Sequence, residues 1–366
     1  MIIHLYFARK FLVIFLGLQV VFLALLMMVD LIDKLRRFDV EEVGFSTVLY
    51  LTILKTPEGL YQILPLVVIL ATIALFLGLA RSSELVVVRG SGRSAMLSLL
   101  SPVIVAVLIG ILSVSTFNPI VAATSVQHDS LSDRLRSGRA SSTLSISSEG
   151  LWLRQGGAAG QAVIHALSTN ADATVFYDIS IVAYAPDGGP QERIEARSAE
   201  LVEGAWALKG ATVWPLEPGK NPEEHAKNFD VLEFGSTLTH ERIRDSFATP
   251  SVISVWDLPQ FIRDLEESGF SSRRHKVWLM MELASPLFLA AMVLVASAFT
   301  MRHTRFGRTG VAVLGAVLTG FALYYVRNFA QILGENGQIP VALAAWAPPV
   351  ASVLLALGLL LHMEDG

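Results

Sequence analysis

Two charged residues interrupt long apolar stretches of this chain: Glu282 within Trp278–Thr300 and Arg327 within Gly310–Phe329. Ionisable groups at membrane depth cost a few kcal/mol at mid-helix and less near the interface, so they are retained where they have a partner or a ligand. Each lies about one helical turn from the same end of its stretch, which puts both at similar depth in adjacent antiparallel helices. They can form a structural ion pair, or the guanidinium can meet an anion instead. A second set, Lys34, Arg36 and Arg37, follows Asp30 and Asp33. Asp30–Lys34 and Asp33–Arg37 are acid-then-base at i,i+4, worth about 0.2–0.5 kcal/mol each as local helix support. The same three cations are also suited to phosphorylated lipid. A third set lies in the segment Arg81–Ser94. Ser82 or Ser83 can cap a short helix, Glu84 and Arg89 complement its dipole, and Gly90 can end it. Its apolar run, Leu85 to Val88, needs a cover: a membrane surface, a groove in a partner protein, or nothing more than an interfacial turn.

Other chemistry is excluded or unsupported. There is no G-x-x-x-x-G-K-[ST] phosphate loop; Gly90-Ser91-Gly92-Arg93-Ser94 lacks the first glycine and the lysine. Neither H-E-x-x-H nor G-x-S-x-G occurs, and His128, His165, His225 and His240 have no metal-ligand spacing. The chain has no cysteine, hence no disulfide, thiolate zinc site or cysteine nucleophile. A net charge of −4 gives no electrostatic footprint for nucleic acid. The residues therefore point to binding and transmission rather than to catalysis, with no cofactor bound by the chain itself.

The elements that position these residues are legible from hydrophobicity. Apolar runs cover Phe11–Val29, Leu60–Ala80, Ala95–Phe117, Trp278–Thr300, Gly310–Phe329 and Val341–Leu361. Each approaches the roughly 20 residues that a helix needs to cross about 30 Å of hydrocarbon. Charged residues are only 16% of the chain, below the roughly 25% usual for soluble proteins. The first run is followed by Asp30-Leu31-Ile32-Asp33-Lys34 with no small-residue cleavage pattern, so it reads as a span that continues as a helix into water. Eight basic residues fall on each side of the membrane. Loop length breaks the tie: Arg81–Ser94 and Met301–Thr309 carry three arginines each, and Ala330–Pro340 carries none. The positive-inside rule then places both termini in the cytoplasm and the long insertion outside.

Between the third and fourth runs the composition turns polar. Val175, Tyr177, Ile179, Ile181 and Ala183 alternate as one face of a half-buried strand. Arg193–Arg197, Ala199–Val202, Ala205–Lys209, Ala211–Pro215 and Phe229–Thr239 read as further strands. Val255, Leu258, Phe261, Ile262 and Leu265 share a helical face. The expected organisation is a membrane half at 1–117, an antiparallel sandwich or jelly roll at 118–276, and a second membrane half at 277–366.

The stretch Arg81-Ser82-Ser83-Glu84-Leu85-Val86-Val87-Val88-Arg89-Gly90-Ser91-Gly92 resembles the coupling-helix motif of the lipopolysaccharide-export permeases of Gram-negative bacteria. Tyr6-Phe7-Ala8-Arg9-Lys10-Phe11, Val29–Asp33, Asp257–Ile262 and Gly334–Pro340 are similar to that family too. The resemblance runs along the whole chain and is weakest in the insertion. Val255–Phe270 and the tail His362–Gly366 look like the G-type rather than the F-type permease. The family implies an inner-membrane exporter subunit with six spans and a periplasmic jelly-roll-like domain inserted between the third and fourth, in which the apolar faces of strands such as Val175–Ala183, with Ile179 and Ile181, would line an open lipid channel. It implies a paralogous F-type permease, a cytoplasmic ATPase dimer that uses the ATP, a single-span bridge protein with its own periplasmic jelly roll, and lipopolysaccharide as cargo. It places Glu84, Leu85, Val88 and Arg89, in a coupling helix at 82–90, against the ATPase. Substrate contact falls to Lys34, Arg36 and Arg37, and Arg327 is a fourth candidate. The F-type paralogue, a lipoprotein-release type of exporter subunit with four spans, and a membrane anchor without transport activity are the alternatives.

Overall fold

In the computed structural model the described residues are 2–37, 43–84, 95–137, 145–147, 150–157, 160–169, 175–185, 189–202, 204–216, 219, 221–236, 249–267, 271–301 and 309–364. They divide into two compact units. One holds Met1–Ser132, Ser251–Trp256 and Arg273–Gly366, and the other Asp133–Pro250 and Asp257–Ser272.

The first unit is helical: α1 (Ile2–Arg37), α2 (Phe45–Gln62), α3 (Leu64–Arg81), α4 (Ala95–Leu112), a π-helical turn (Ser113–Phe117), α5 (Asn118–Ser137), α7 (Arg273–Thr300), α8 (Thr309–Glu335) and α9 (Val341–Glu364). Among the described residues six of its helical stretches are long and apolar enough to span a membrane. At ~1.5 Å per residue α1 is about 54 Å long, well beyond a hydrocarbon core, as expected of a span that continues into water. Two features depart from the hydropathy reading. The second apolar run straddles a break at Ile63, where α2 ends and α3 starts with Pro65 in its first turn. Proline is tolerated there because its missing N–H would have no intrahelical partner. The helix entered at Ala95 continues past Asn118, where the composition turns polar, and the first compact unit ends at Ser132.

Helix α7 is the hub, packing on α3, α4, α8 and α9. From Phe288 to Ala298 it is buried on nearly every side. Lipid is as apolar as leucine, so packing contact rather than water exclusion holds spans together, and small residues permit close approach. Ala284, Ala290, Ala291, Ala296 and Ala298 supply them on α7. At Gly110 of α4 a Cβ would lie 2.5 Å from the Pro286 Cα, so glycine is required by the proximity of the two backbones. Buried hydroxyls on α7 are satisfied within the helix: Ser297 donates to the Val293 carbonyl at 2.6 Å and Thr300 to that of Ala296 at 2.8 Å. Only 6% of the α1 span and 11% of the α8 span are buried, against 61% for α3 and α7.

The second unit contains seven antiparallel strands paired in sequence order: β1 (Ser145–Ser147), β2 (Gly150–Gly157), β3 (Gly160–Thr169), β4 (Val175–Tyr184), β5 (Pro190–Val202), β6 (Ala205–Pro215) and β7 (Lys227–Gly235). The amphipathic helix α6 (Leu258–Glu267) adds Leu265 and Phe261 to its core. Among the described residues the pairing is a meander, without the crossovers that define a jelly-roll order. The two short segments expected at Arg193–Val202 are one strand, as are the two expected at Ala205–Pro215.

The expected single-face alternation of β4 is corrected. Phe176, Ile179 and Ile181 are buried while Tyr177 and Asp178 are exposed. The same one-residue shift occurs between Ala196 and Ala199 in β5 and between Leu208 and Ala211 in β6. Its cause is a row of positions skipped by the strand pairing: Leu167, Asp178, Arg197, Gly210 and Asp230. Asp178 (φ 49°) and Gly210 (φ 64°) take left-handed backbone, which aspartate tolerates and glycine favours. The Arg197 side chain lies over Gly210, where a Cβ would be 2.5 Å from its Nε. Ile179 and Ile181, expected at an open channel, are 2% and 1% exposed in a core with Trp206 and Leu208.

Replacing Gly110 by alanine is expected to lower stability by about 1–3 kcal/mol through overpacking against the Pro286 backbone. Gly17→Ala, with nothing within 4 Å of its Cβ, should be neutral or stabilising. Thermal unfolding of the two variants in detergent checks this; equal midpoints would refute the close-approach argument.

Candidate functional site

Three polar clusters stand out in the helical unit. The first is at the amino-terminal end of α1, where Tyr6 and Lys10 share a face at i,i+4 spacing. Both reach Glu84, just beyond α3: the Tyr6 hydroxyl donates at 3.0 Å and the Lys10 ammonium at 3.2 Å. The Ser82 hydroxyl donates to the same carboxylate at 2.8 Å. Ser83 takes left-handed backbone (φ 59°) and so turns the chain sharply out of α3. The Ser82 hydroxyl, and then Lys10 and Tyr6, hold the Glu84 carboxyl below the usual range against the opposing effect of burial. Glu84 is therefore anchored to α1, with its side chain still one-third exposed at 33%. Leu85, Val88 and Arg89, expected to complete a coupling helix, lie outside the described residues.

The second cluster is at the other end of α1. Lys34 is only 7% exposed. Its ammonium donates to Asp30 at 2.5 Å and to the Leu51 carbonyl of α2 at 2.8 Å. It thus ties α1 to α2. Arg36 and Arg37 are exposed, with Arg37 paired to Asp33 at 3.0 Å across i,i+4. The structure places all three expected cations in the last turn of one helix but gives them different surroundings: one is enclosed and two face outward.

The third cluster involves Glu282 and Arg327. The sequence reading offered an ion pair, and the structure provides a different arrangement. The Glu282 carboxylate accepts a short hydrogen bond from the Tyr61 hydroxyl at the end of α2. Arg327 stacks over the Phe288 ring, 5.1 Å from its centroid, and donates to the Met281 carbonyl at 3.4 Å. No ion pair joins Glu282 to Arg327 among the described residues. The cluster borders a cavity of about 400 Å³ between the α2–α3 junction, α7 and α8. Beside it the Tyr61 ring lies 6.1 Å from that of Phe117, in the π-helical turn. The next residue, Asn118, accepts the Val255 N–H through its side-chain oxygen at 2.9 Å, and the Ser115 carbonyl accepts the Trp256 indole N–H at 2.9 Å. The wider turn thus fastens the segment that leads back into the membrane half.

Tyr61 was the member of this site missed by sequence reasoning. Its signal is faint: a hydroxyl-bearing aromatic just ahead of Leu64-Pro65, inside a run that hydropathy reads as one helix. Tyr6 and Lys10 were visible as a motif, but their role as Glu84 partners depends on how α1 packs on α3.

Lys34→Met should cost about 1–3 kcal/mol, because the buried Leu51 carbonyl loses its donor. Exposed Arg36→Gln and Arg37→Gln together should cost less than about 1 kcal/mol. Chemical denaturation in detergent separates the two, and equal costs would count against the tie. Titration of Glu84 has a defined sign. Its pKa is lowered by folding, so its contribution is full above the unfolded value of about 4.3 and is lost as pH falls through the lower folded value. Hydrogen-exchange protection of Ser82–Glu84 should therefore persist from neutral pH through about pH 4.3 and fade below it. Loss already at pH 6 would contradict this.

Comparison with known proteins covers nearly the whole chain. The profile of the family described as "Lipopolysaccharide export system permease LptF/LptG" matches residues 5–362. The lipopolysaccharide export system permease protein LptG of Escherichia coli (strain K12) is 24% identical over 315 residues, covering 85% of this chain and 84% of that protein. The protein of the same name from Haemophilus influenzae is 25% identical over 133 residues, 36% of each chain.

Proposed function

The chain belongs to the LptF/LptG family of lipopolysaccharide export permeases, and on that premise we propose that it is the G-type permease of an ATP-driven exporter. It is a lipopolysaccharide export permease subunit and a multi-pass protein of the inner membrane. The observation that carries the export reading is the family match over residues 5–362, which takes in both membrane halves and the sheet between them; the G-type assignment is supported by the similarity to proteins named LptG. Six spanning helices also argue against the four-span layout of a lipoprotein-release exporter.

In this reading both termini and the segment 82–90 are cytoplasmic, and the sheet domain is a periplasmic jelly-roll-like module between the third and fourth spans. The two least buried spans, α1 and α8, offer the most surface to a paralogous F-type permease and to the lipid between them. A cytoplasmic ATPase dimer binds and spends the ATP, and this chain holds no nucleotide. Closure of that dimer reaches the spans through Glu84, Leu85, Val88 and Arg89, with Glu84 linked to α1 by Tyr6 and Lys10. Lipopolysaccharide in the outer leaflet meets the basic end of α1. Arg36 and Arg37 face its phosphates, and Lys34 behind them adds charge while holding the helix in place. The lipid then passes through the periplasmic domain to a single-span bridge protein with a jelly roll of its own. No second strand pairs with β7 on its outer side among the described residues, which suits addition of a neighbouring strand there.

The test is reconstitution of the full chain with the F-type permease and the ATPase in proteoliposomes loaded with lipopolysaccharide. ATP-dependent release to a soluble acceptor is expected, and Arg36→Gln/Arg37→Gln should lower release and photocrosslinking by roughly tenfold, the equivalent of one lost charge-assisted contact. ATP hydrolysis without lipid release in the wild type would sink the export reading. Unchanged crosslinking in the double variant would remove these two arginines from the substrate path.

A further inference from the structure

Helices α7 and α8 each present a polar stripe to the same cavity. Trp278, Glu282 and Ser285 fall at i, i+4 and i+7 on α7, and Tyr324, Arg327, Asn328 and Gln331 at i, i+3, i+4 and i+7 on α8. Their hydrogen bonds do not balance. The Glu282 carboxylate is engaged by Tyr61, and Arg327 donates one long bond of 3.4 Å to a backbone carbonyl. Among the described residues the buried Arg327 Nε meets no hydrogen-bond partner, and neither does the Trp278 indole Nε1. Both leftover atoms are N–H donors, and one belongs to a cation that has no carboxylate in contact among the described residues. Buried donors in folded proteins are nearly always met by an acceptor. Water could fill the hydrogen bonds, and Glu282 in the same cavity offsets the charge only without contact. An acceptor that supplies negative charge and several oxygens fits both needs. Apart from Tyr61 and Gln62, the remaining wall is apolar, at Leu64, Pro65, Met281 and Ile332, which suits an amphiphile rather than a free ion.

We propose that this cavity binds one lipid-borne phosphate group, with Arg327 and Trp278 as its donors. Its volume of about 400 Å³ holds one headgroup phosphate and the start of a chain, and leaves no room for a whole glycolipid body. Two lipids carry that chemistry. One is the exported lipopolysaccharide, in which case the site rests on the export reading. The other is an anionic glycerophospholipid of the bilayer, which would need no export at all. Glu282 shares the cavity and opposes an anion, and its bond to Tyr61 turns the carboxylate toward α2.

Native mass spectrometry of the purified full chain tests this with three probes: bisphosphorylated lipid A, phosphatidylglycerol and, as the phosphate-free control, diacylglycerol. The wild type should retain a phosphate lipid in preference to diacylglycerol. Arg327→Gln should reduce retention roughly tenfold, as for a lost charge-assisted contact. Trp278→Phe, which keeps an aromatic ring and loses only the N–H, should reduce it a few-fold. Glu282→Gln should preserve or raise it, whereas a purely structural Glu282–Arg327 unit would lose folding and retention together. Arg327-dependent retention of lipid A alone assigns the phosphate to the cargo; retention of phosphatidylglycerol as well assigns it to bilayer lipid. Equal retention of diacylglycerol, or retention unchanged in both Arg327→Gln and Trp278→Phe, overturns the site. Failure of the export reading would instead appear as absent ATP-dependent release by the wild-type complex, independent of these variants.

Discussion

Close packing of one helix against four others is the constraint on which the membrane unit depends. In hydrocarbon there is no water to drive spans together, so contact between surfaces must do it. Helix α7 meets α3, α4, α8 and α9, and it does so with alanines and with Pro286 set against Gly110. Because α7 uses nearly its whole circumference, the polar residues in its closely packed part, Ser297 and Thr300, bond within the helix, and Trp278, Glu282 and Ser285 lie where the packing opens into a cavity. The same arrangement leaves α1 and α8 the least covered of the spans, so these two present the most surface for lipid or another subunit.

Charge in this unit is managed by position along the helices. At the Arg37 end of α1 a single enclosed ammonium joins two helices, and its neighbours face outward. An enclosed cation with both a carboxylate and a carbonyl is satisfied in place. An exposed arginine in an i,i+4 pair gives up little when it trades that partner for a phosphate, since such pairs contribute only about 0.3–0.5 kcal/mol. At the opposite end Glu84 is bound by three donors from two segments, so a load on the segment that follows α3 acts on α1 as well. These arrangements give each end of α1 a mechanical role beyond crossing the membrane.

The sheet illustrates a related economy. A row of skipped pairs through Leu167, Asp178, Arg197, Gly210 and Asp230 shifts the inward face by one residue in each central strand, while the register on either side of the row stays the same. Side chains of long strands thereby keep a buried face along their whole length as the sheet twists. Two left-handed residues are enough to set the shift, and Arg197 covers the glycine that makes it possible.

Much of this was legible in the residues alone. The six apolar runs, the helical continuation of the first to Arg37, the strands at 175–235 and the amphipathic helix ending near Glu267 follow from local period and length, which depend only on neighbours in the chain. The family motifs at both ends of the membrane halves are likewise local patterns. What hydropathy missed is decided by distant contacts. The break at Ile63 lies inside one uniform apolar run, and the helix beyond Asn118 continues through polar sequence, so composition marks neither. Alternation in β4 reads as one face because a left-handed residue has no signature in a period-two pattern. Above all, the partners of charged groups were not in the sequence. Glu282 and Arg327 share a depth, which suggested each other, but Tyr61 is the group placed against the carboxylate and Phe288 the ring beneath the guanidinium. Lys34, Arg36 and Arg37 are nearly identical in chemistry and adjacent in the chain. Only the packing of α2 across α1 encloses the first and leaves the other two in the open, because burial is set by which surfaces meet and not by which residues are neighbours.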